Sequence, residues 1–313
     1  MLLLYRGENF DANFFYQSGV DIDHSFFLVN GDKKILFTPK MNESIAHSAF
    51  DGSVVAYTDP FAELSKYVKS KVVNVDGAIS ARLWMRLSKL CKLKDYSAEL
   101  LTIRAKKKPT EVTDVKKAVY YTKQIFASLD FNAAKTELDL KKQLLSRTLD
   151  LGLEPAFEPI VSTDKTTSYP HYQPGKKKLG SLILIDYGVR YNHYCSDLTR
   201  CFIKDGTRKK KEEYARLKQL CNSIVDELPN LETGKEVAAF SDKLIKKAGF
   251  PVLVHSIGHG VGLDIHESPR LGLKSADKIA GSILAIEPAF YYSNYGMRYE
   301  ETIWFNGKKG KIL

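Results

Sequence analysis

Five residues in the second half of this 313-residue chain are of types that hold divalent metal ions. Asp186 lies in LILIDYG, and Asp197, eleven positions on, in YCSDLTR. His259 follows in HSIGHGVG, Glu287 in AIEP and Glu300 in RYEET. Each stands in or beside a strand-like apolar run. Four carboxylates gathered in one place without cations would repel one another and shift their pKa values strongly. Two metal ions remove that repulsion and create a hydrolytic centre. If the five residues converge, the chain is a hydrolase.

Taken singly, each residue has an ordinary reading. An Asp at a strand end is commonly a turn or cap residue, and a lone His is commonly a structural hydrogen-bonder. The contexts here tilt the balance. Asp197 reads as an interior strand residue, where Asp is depleted. Glu300 and Glu301 stand among aromatics, where a carboxylate is costly unless paired or metal-bound. In a regular strand only Glu300 shares a face with Arg298. His255 and His259 are four apart, which on a strand puts both on one face, and His266 follows. Gly258, Gly260 and Gly262 would let backbone and cofactor approach closely. One nitrogen and four carboxylates suit Mn, Fe(II), Co or Zn. Paired ions could share bridging carboxylates and a hydroxide, which attacks a carbonyl while histidines assist the leaving nitrogen.

The elements that must position these residues form two regions. Residues 1–104 read as an α/β unit, with a hairpin over Phe26–Phe37 built on a turn at Asn30–Lys33. Helical and strand pieces alternate after it. The charged segment Arg104–Asp114, with Pro109, reads as a break and sets the domain boundary. Residues 105–313 open with two helices, the second capped by Thr136–Glu137–Leu138–Asp139. SLILID and CSDLTRCFI read as strands, two further helices span Arg208–Leu228 and Lys235–Ala248, and ILAIE and YEETIWF close as strands. Helix pairs alternating with strand pairs indicate an α+β fold, with a weak internal pseudo-repeat.

Bulk properties narrow the class. Apolar residues make up 44% and charged residues 27%, as in an ordinary globular protein with two domains. No apolar run approaches the roughly 20 residues that span a bilayer, so no membrane partner is expected. MLLLYRGENF lacks the features of a signal peptide, and a cytoplasmic location is the default. Four cysteines without CxxC spacing read as reduced thiols, Cys195 and Cys201 on one strand face. The net charge of +10 comes from dispersed lysine clusters, among them Lys106–Lys108, which read as solvated loops and not as a nucleic-acid stripe.

The ordered set DYG, SDLTR, HSIGHGVGLDIHE, AIEP and RYEET resembles the pita-bread metallopeptidases, and among them the Xaa-Pro peptidases, aminopeptidase P and prolidase. The resemblance is specific over 105–313. Residues 1–104 resemble the smaller creatinase-type N-terminal domain, through ENFDANFFYQSGV and FFLVNGDKKILFTP. It implies that Asp186, Asp197, His259, Glu287 and Glu300 hold two divalent ions, manganese first and cobalt, zinc or iron also admissible, with Asp197 and Glu300 bridging. It makes Glu287 the acceptor of the attacking water's proton. His171 in YPHYQP, His255 and His266 match substrate-side histidines. Arg298 would orient acidic ligands or bind a substrate carboxylate, and Arg270 is a second candidate for that task. Tyr291 and His193 are candidate pocket residues. Three departures stand out: Ala289 where Gly is common, Glu301 where Asp is common, and a His171 to Asp186 spacing slightly shorter than is typical. The implied function is hydrolysis of Xaa-Pro bonds at peptide N-termini or in dipeptides, the former slightly favoured, by a homodimer acting on proline-containing peptides. The runners-up are a methionine aminopeptidase-like enzyme and an inactive pita-bread binding module.

Overall fold

The computed structural model describes residues 1–204 and 208–313. The chain divides into two compact units, Met1–Arg104 and Ala105–Leu313.

In the first unit the strands are β1 (Leu2–Arg6), β2 (Ser25–Asn30), β3 (Lys33–Pro39), β4 (Ser53–Tyr57), β5 (Val72–Val75) and β6 (Lys92–Asp95). The helices are α1 (Ala12–Ser18), α2 (Glu43–Ala49), α3 (Pro60–Val68), α4 (Ala81–Leu87) and α5 (Ser97–Ala105). The strands form one mixed sheet in the order β4-β3-β2-β1-β5-β6. Alternation along β1–β3 splits the apolar residues between two cores. Leu3, Phe26, Leu28 and Phe37 pack with Leu64 and Leu87, while Leu4, Phe27 and Leu36 pack with Phe14, Ala46 and Leu100. Burial on both faces is why β2 reads as the unbroken run SFFLV and not as an alternating one. The hairpin is present as expected, turning at Gly31 with φ 59°.

The second unit opens with α6 (Pro109–Ala127) and α7 (Glu137–Asp150). The expected break over Arg104–Asp114 is therefore largely helical. Pro109 is the first residue of α6, a position where its missing N–H costs nothing. The capping box at Thr136 is present, with Asp139 reaching back to the cap backbone. Next come β7 (Glu154–Pro155), β8 (Ile160–Thr163), β9 (Leu182–Tyr187), β10 (Val189–Tyr191), β11 (Tyr194–Cys195) and β12 (Leu198–Ile203). Helices α8 (Arg208–Glu227) and α9 (Gly234–Lys247) follow. The last strands are β13 (Gly258–Gly260), β14 (Glu267–Leu271), β15 (Ser282–Ile286), β16 (Ala289–Tyr291), β17 (Gly296–Arg298), β18 (Glu301–Phe305) and β19 (Gly310–Ile312). Their antiparallel sheets run β12-β9-β8, β11-β10-β7, β14-β13-β15-β18-β19 and β16-β17. Helix pairs and antiparallel sheets alternate along the unit, so the α+β expectation holds. No helix among the described residues is long and apolar enough to cross a membrane.

Three strand readings need correction. CSDLTRCFI is not one strand: the ladder stops after Cys195, skips Ser196 and Asp197, and resumes at Leu198 in another sheet. Cys195 and Cys201 are both buried, but in different sheets. RYEET is also broken, with Glu300 between β17 and β18. His255 lies ahead of β13 in irregular chain. One lysine cluster departs from the solvated reading as well. Lys107 is buried, with its Nζ 2.6 Å from Glu267 Oε1.

Gly188 explains how the broken segment reaches β9. A Cβ at Gly188 would lie 1.7 Å from the Ser196 carbonyl oxygen, so only glycine lets the Ser196–Asp197 bend cross this close. The Ser196 hydroxyl bonds Val189 and Thr122, which pins the bend. Gly188→Ala is expected to destabilise the protein by about 1–3 kcal/mol, as overpacking does. Thermal denaturation checks this, and an unchanged Tm would contradict the crossing described.

Candidate metal centre

Strand pairing brings the metal-ligand types together. On the β9–β12 ladder Asp186 stands opposite Thr199, two residues after Asp197. On the β13–β15 ladder His259 stands opposite Ala285, two residues before Glu287. The β15–β18 ladder ends at Ile286 opposite Glu301, so Glu287 and Glu300 leave the sheet side by side. The two halves are stitched by the Glu300 N–H, which donates to Thr199 O at 3.3 Å, and by Thr302 Oγ1, which donates to Asp197 O at 2.7 Å.

The result is a set of three overlapping groups whose ligand atoms lie within 4.8 Å of one another: Asp186, Asp197 and Glu300; His259, Glu287 and Glu300; and Asp197, His259 and His266. Glu300 belongs to both carboxylate groups, and Asp197 links the third to the first. The His259 Nδ1–H donates to Gly260 O at 3.1 Å. That fixes the tautomer, leaving Nε2 as a lone pair 3.5 Å from Asp197 Oδ2 and 3.9 Å from Glu287 Oε1. A lone pair facing two carboxylates calls for a cation between them. Asp186 Oδ1 and Asp197 Oδ1 are buried without a hydrogen-bond partner. These orphaned oxygens and the all-acceptor donor set fit divalent metal ions.

Titration behaviour carries the same mark. Burial and then the neighbouring Glu300, Asp186 and Glu287 push the Asp197 carboxyl well above the usual range. Burial, then Asp186 and Glu287, does the same to Glu300. Glu287 is pushed up to about 8, chiefly by burial. Burial lowers His255 and His259 to about 4, so both are neutral near pH 7.

Around this centre is a cavity of about 360 Å³, lined by all five ligand types, by His171, His255 and His266, and by Arg298. Apolar surface comes from Phe157, Ile160, Pro170 and Ile265. Larger hollows, of 630 and 490 Å³ in the first unit and 410 Å³ between α8 and β19, gather no metal-ligand group among the described residues. The Arg298 guanidinium is buried and heavily engaged. Nη2 donates to Asp186 Oδ2 at 2.5 Å, Nη1 to the Tyr291 hydroxyl at 3.0 Å and Nε to Thr199 Oγ1 at 2.9 Å. With all three nitrogens engaged, it has little left for a substrate carboxylate. Tyr291 also meets His255 Nε2 at 2.9 Å. Arg270 is exposed on β14 and does not line the cavity, because alternation buries Glu267, Pro269 and Leu271 instead. His193 lies in the β10–β11 turn, also outside the lining.

The glycines beside His259 admit close chain packing. A Cβ on Gly258 would meet Ala285 O at 1.9 Å. Two supporting residues were not foreseen. Thr199 Oγ1 donates to Glu300 Oε2 at 2.7 Å. Arg200 Nη2 donates to Glu301 Oε1 at 2.6 Å, and its Nη1 donates to the carbonyls of Thr199 and Glu300 at 3.0 and 2.5 Å. The cation thus fastens the backbone behind both segments. The TR that follows SDL carried this signal, but its meaning depends on pairing with a segment a hundred residues away.

Residues 113–306 match the model of metallopeptidase family M24, and residues 2–106 match the creatinase/prolidase N-terminal domain. The chain belongs to metallopeptidase family M24. It is similar to the Xaa-Pro dipeptidase of Pyrococcus furiosus, at 27% identity over 96% of this chain and 90% of that protein. In fold it matches the prolidase of Pyrococcus horikoshii OT3, with TM-score 0.91, 23% identity and coverage of 99% and 92% of the two chains. The X-Pro aminopeptidase of Thermotoga maritima MSB8 gives TM-score 0.88 at 23% identity, covering 99% and 94%.

A pH signature follows for metal-free protein. Glu287 has its folded value raised from 4.5 to about 8, so its contribution is full below about 4.5 and is lost as pH rises through about 8. His255 and His259 are lowered from 6.5 to about 4, so they oppose folding only below about 6.5. Between pH 6.5 and about 8 the carboxylates act alone. The Tm of chelated protein is expected to fall across that window, and added Mn²⁺ to abolish the fall. A flat Tm in chelator would show that the carboxylates are not crowded.

Proposed function

We propose that this chain is an Xaa-Pro peptidase that holds two divalent metal ions, manganese foremost. The observation that carries this reading is the convergence of five ligand-type side chains and three histidines on one cavity. In this reading Asp186, Asp197, His259, Glu287 and Glu300 would hold the two ions. When bound, such a pair supplies Lewis acidity and lowers the pKa of water.

The chain's own groups account for the rest. Glu287, which lines the cavity beside His259, accepts the proton of the attacking water. His255 and His266 contact the substrate from the cavity; neutral His255 keeps its one N–H on Ser256 O and accepts the Tyr291 hydroxyl at Nε2, so donation of a hydrogen bond to the substrate falls to His266. His171 contacts the substrate from the cavity wall. Arg298 positions Asp186 and Tyr291. The apolar wall of Phe157, Ile160, Pro170 and Ile265 suits a proline ring. The likeness over nearly the whole chain to a protein named Xaa-Pro dipeptidase supports the dipeptide as substrate. We also propose a homodimer and assign the creatinase/prolidase-type domain to residues 1–104. That domain, matched over residues 2–106, speaks against a methionine aminopeptidase-like reading. The complete ligand set speaks against an inactive binding module.

With Mn²⁺ added, purified protein is expected to cleave Xaa-Pro dipeptides faster than Xaa-Pro-containing tripeptides. Cleavage of tripeptides alone would reject the dipeptide assignment, and no cleavage of either would reject the peptidase reading. Asp197→Asn is expected to lower bound metal and to reduce kcat/KM by roughly a thousandfold or more, as loss of a central electrostatic group does. Metal analysis beside peptide-release kinetics checks this, and full retained activity would refute the assignment of Asp197 as a metal-holding residue.

A further inference from the structure

We infer that the buried carboxylate of Glu137, some thirty residues ahead of the cavity histidine in sequence, is a positioning group for His171. This rests on the reading of His171 as a substrate-side group. Glu137 is the first residue of α7 and has no exposed surface. A buried carboxylate needs a reason, and helix capping does not supply one here. Thr136 and Asp139 already form the capping box at this helix start.

The Glu137 side chain turns instead to the segment that carries His171. Oε1 accepts the Thr166 hydroxyl at 2.9 Å. Oε2 accepts the Tyr172 hydroxyl at 3.0 Å and the Gly175 N–H at 3.1 Å. The backbone adds two more ties, from Glu137 N–H to Lys177 O at 3.0 Å and from Leu138 N–H to Gly175 O at 2.9 Å. Thr166 precedes His171 and Gly175 follows it, so one carboxylate grips both flanks of the segment. Tyr172 is its immediate neighbour.

The segment needs such a grip. Tyr169 to Lys177 has no regular secondary structure. His171 is exposed, lines the cavity and has no hydrogen bond to its ring among the described residues. Its aim is set by its backbone, and the backbone is set by Glu137. The same segment is tied toward the metal side by Gly296 N–H, which donates to Thr167 Oγ1 at 2.9 Å two residues before Arg298. All three groups facing Glu137 are donors, and the acceptor oxygens of its side chain satisfy them. A glutamine would turn an NH₂ toward one of them and leave a buried mismatch.

The test uses the full-length, metal-loaded protein. Glu137→Gln is expected to raise amide hydrogen exchange over residues 166–175, to leave metal content unchanged and to lower kcat/KM by roughly tenfold to a hundredfold, as a misplaced contact group does. In a His171→Ala background the same change is expected to have no further effect on kcat/KM, because both act through one contact. Tyr172→Phe, which keeps the ring and removes one donor, gives a milder version of the same pattern and serves if Glu137→Gln does not fold. Unchanged exchange over 166–175 overturns the clamp. Additive losses with His171→Ala overturn the positioning role and leave Glu137 a purely structural residue. If the unmutated protein cleaves no Xaa-Pro peptide, the substrate reading fails by itself, and the exchange data alone decide whether Glu137 holds the segment.

Discussion

Carboxylate repulsion is the constraint around which the second unit is built. Asp186, Asp197, Glu287 and Glu300 share one cavity, and three of them are driven by burial and by each other toward holding protons they would normally release. The one guanidinium that lines the cavity, Arg298, works against the trend but is tied to Asp186. A fold does not keep such a cluster for stability. It keeps it because something of opposite charge belongs there, and the lone pair of His259 aimed into the same space points to metal ions. Membership of the M24 metallopeptidases agrees with that physical reading.

The sheets hold this cluster by failing at chosen places. Asp197 lies where the chain leaves one sheet and joins another, Glu300 between β17 and β18, and Glu287 just past the end of β15. A regular ladder sends successive side chains to opposite faces, so it cannot aim neighbouring segments at one point. Breaking the ladder frees the backbone to turn, and local anchors then fix the turn. Gly188 admits the Ser196 carbonyl, Thr302 grips Asp197, and Arg200 joins the carbonyls of Thr199 and Glu300. The same logic extends to the histidine side, where irregular chain around His171 is held by the carboxylate of Glu137.

Much of this was legible in the chain. Hairpin β2–β3 announced itself through Asn30–Gly31 between apolar runs, and helix α7 through the cap at Thr136. The ligand types were visible because acidic residues stand oddly beside apolar runs. What misled was the assumption of regularity. CSDLTRCFI and RYEET have strand composition, yet each is interrupted at the residue that matters. Lys107 looked like one of a solvated trio and is buried against Glu267. Arg270 looked like a cavity cation and is exposed on β14. In each case local pattern matched two outcomes, and a partner distant in sequence chose between them.

By itself the sequence determined the chemistry: which residues can hold metal, which can donate protons, and in what order they occur along the chain. Side-chain type and local periodicity suffice for that, since they depend on neighbours only a few positions away. Tertiary structure alone decided the geometry. It made Glu300 common to both carboxylate groups, engaged Arg298 with Asp186, fixed the His259 tautomer through Gly260, and enlisted Thr199, Arg200 and Glu137 as supports. The physical reason is that hydrogen bonds and charge interactions act over a few ångströms of space, and segments as far apart as Asp186 and Arg298 come within that range only when the sheets have paired.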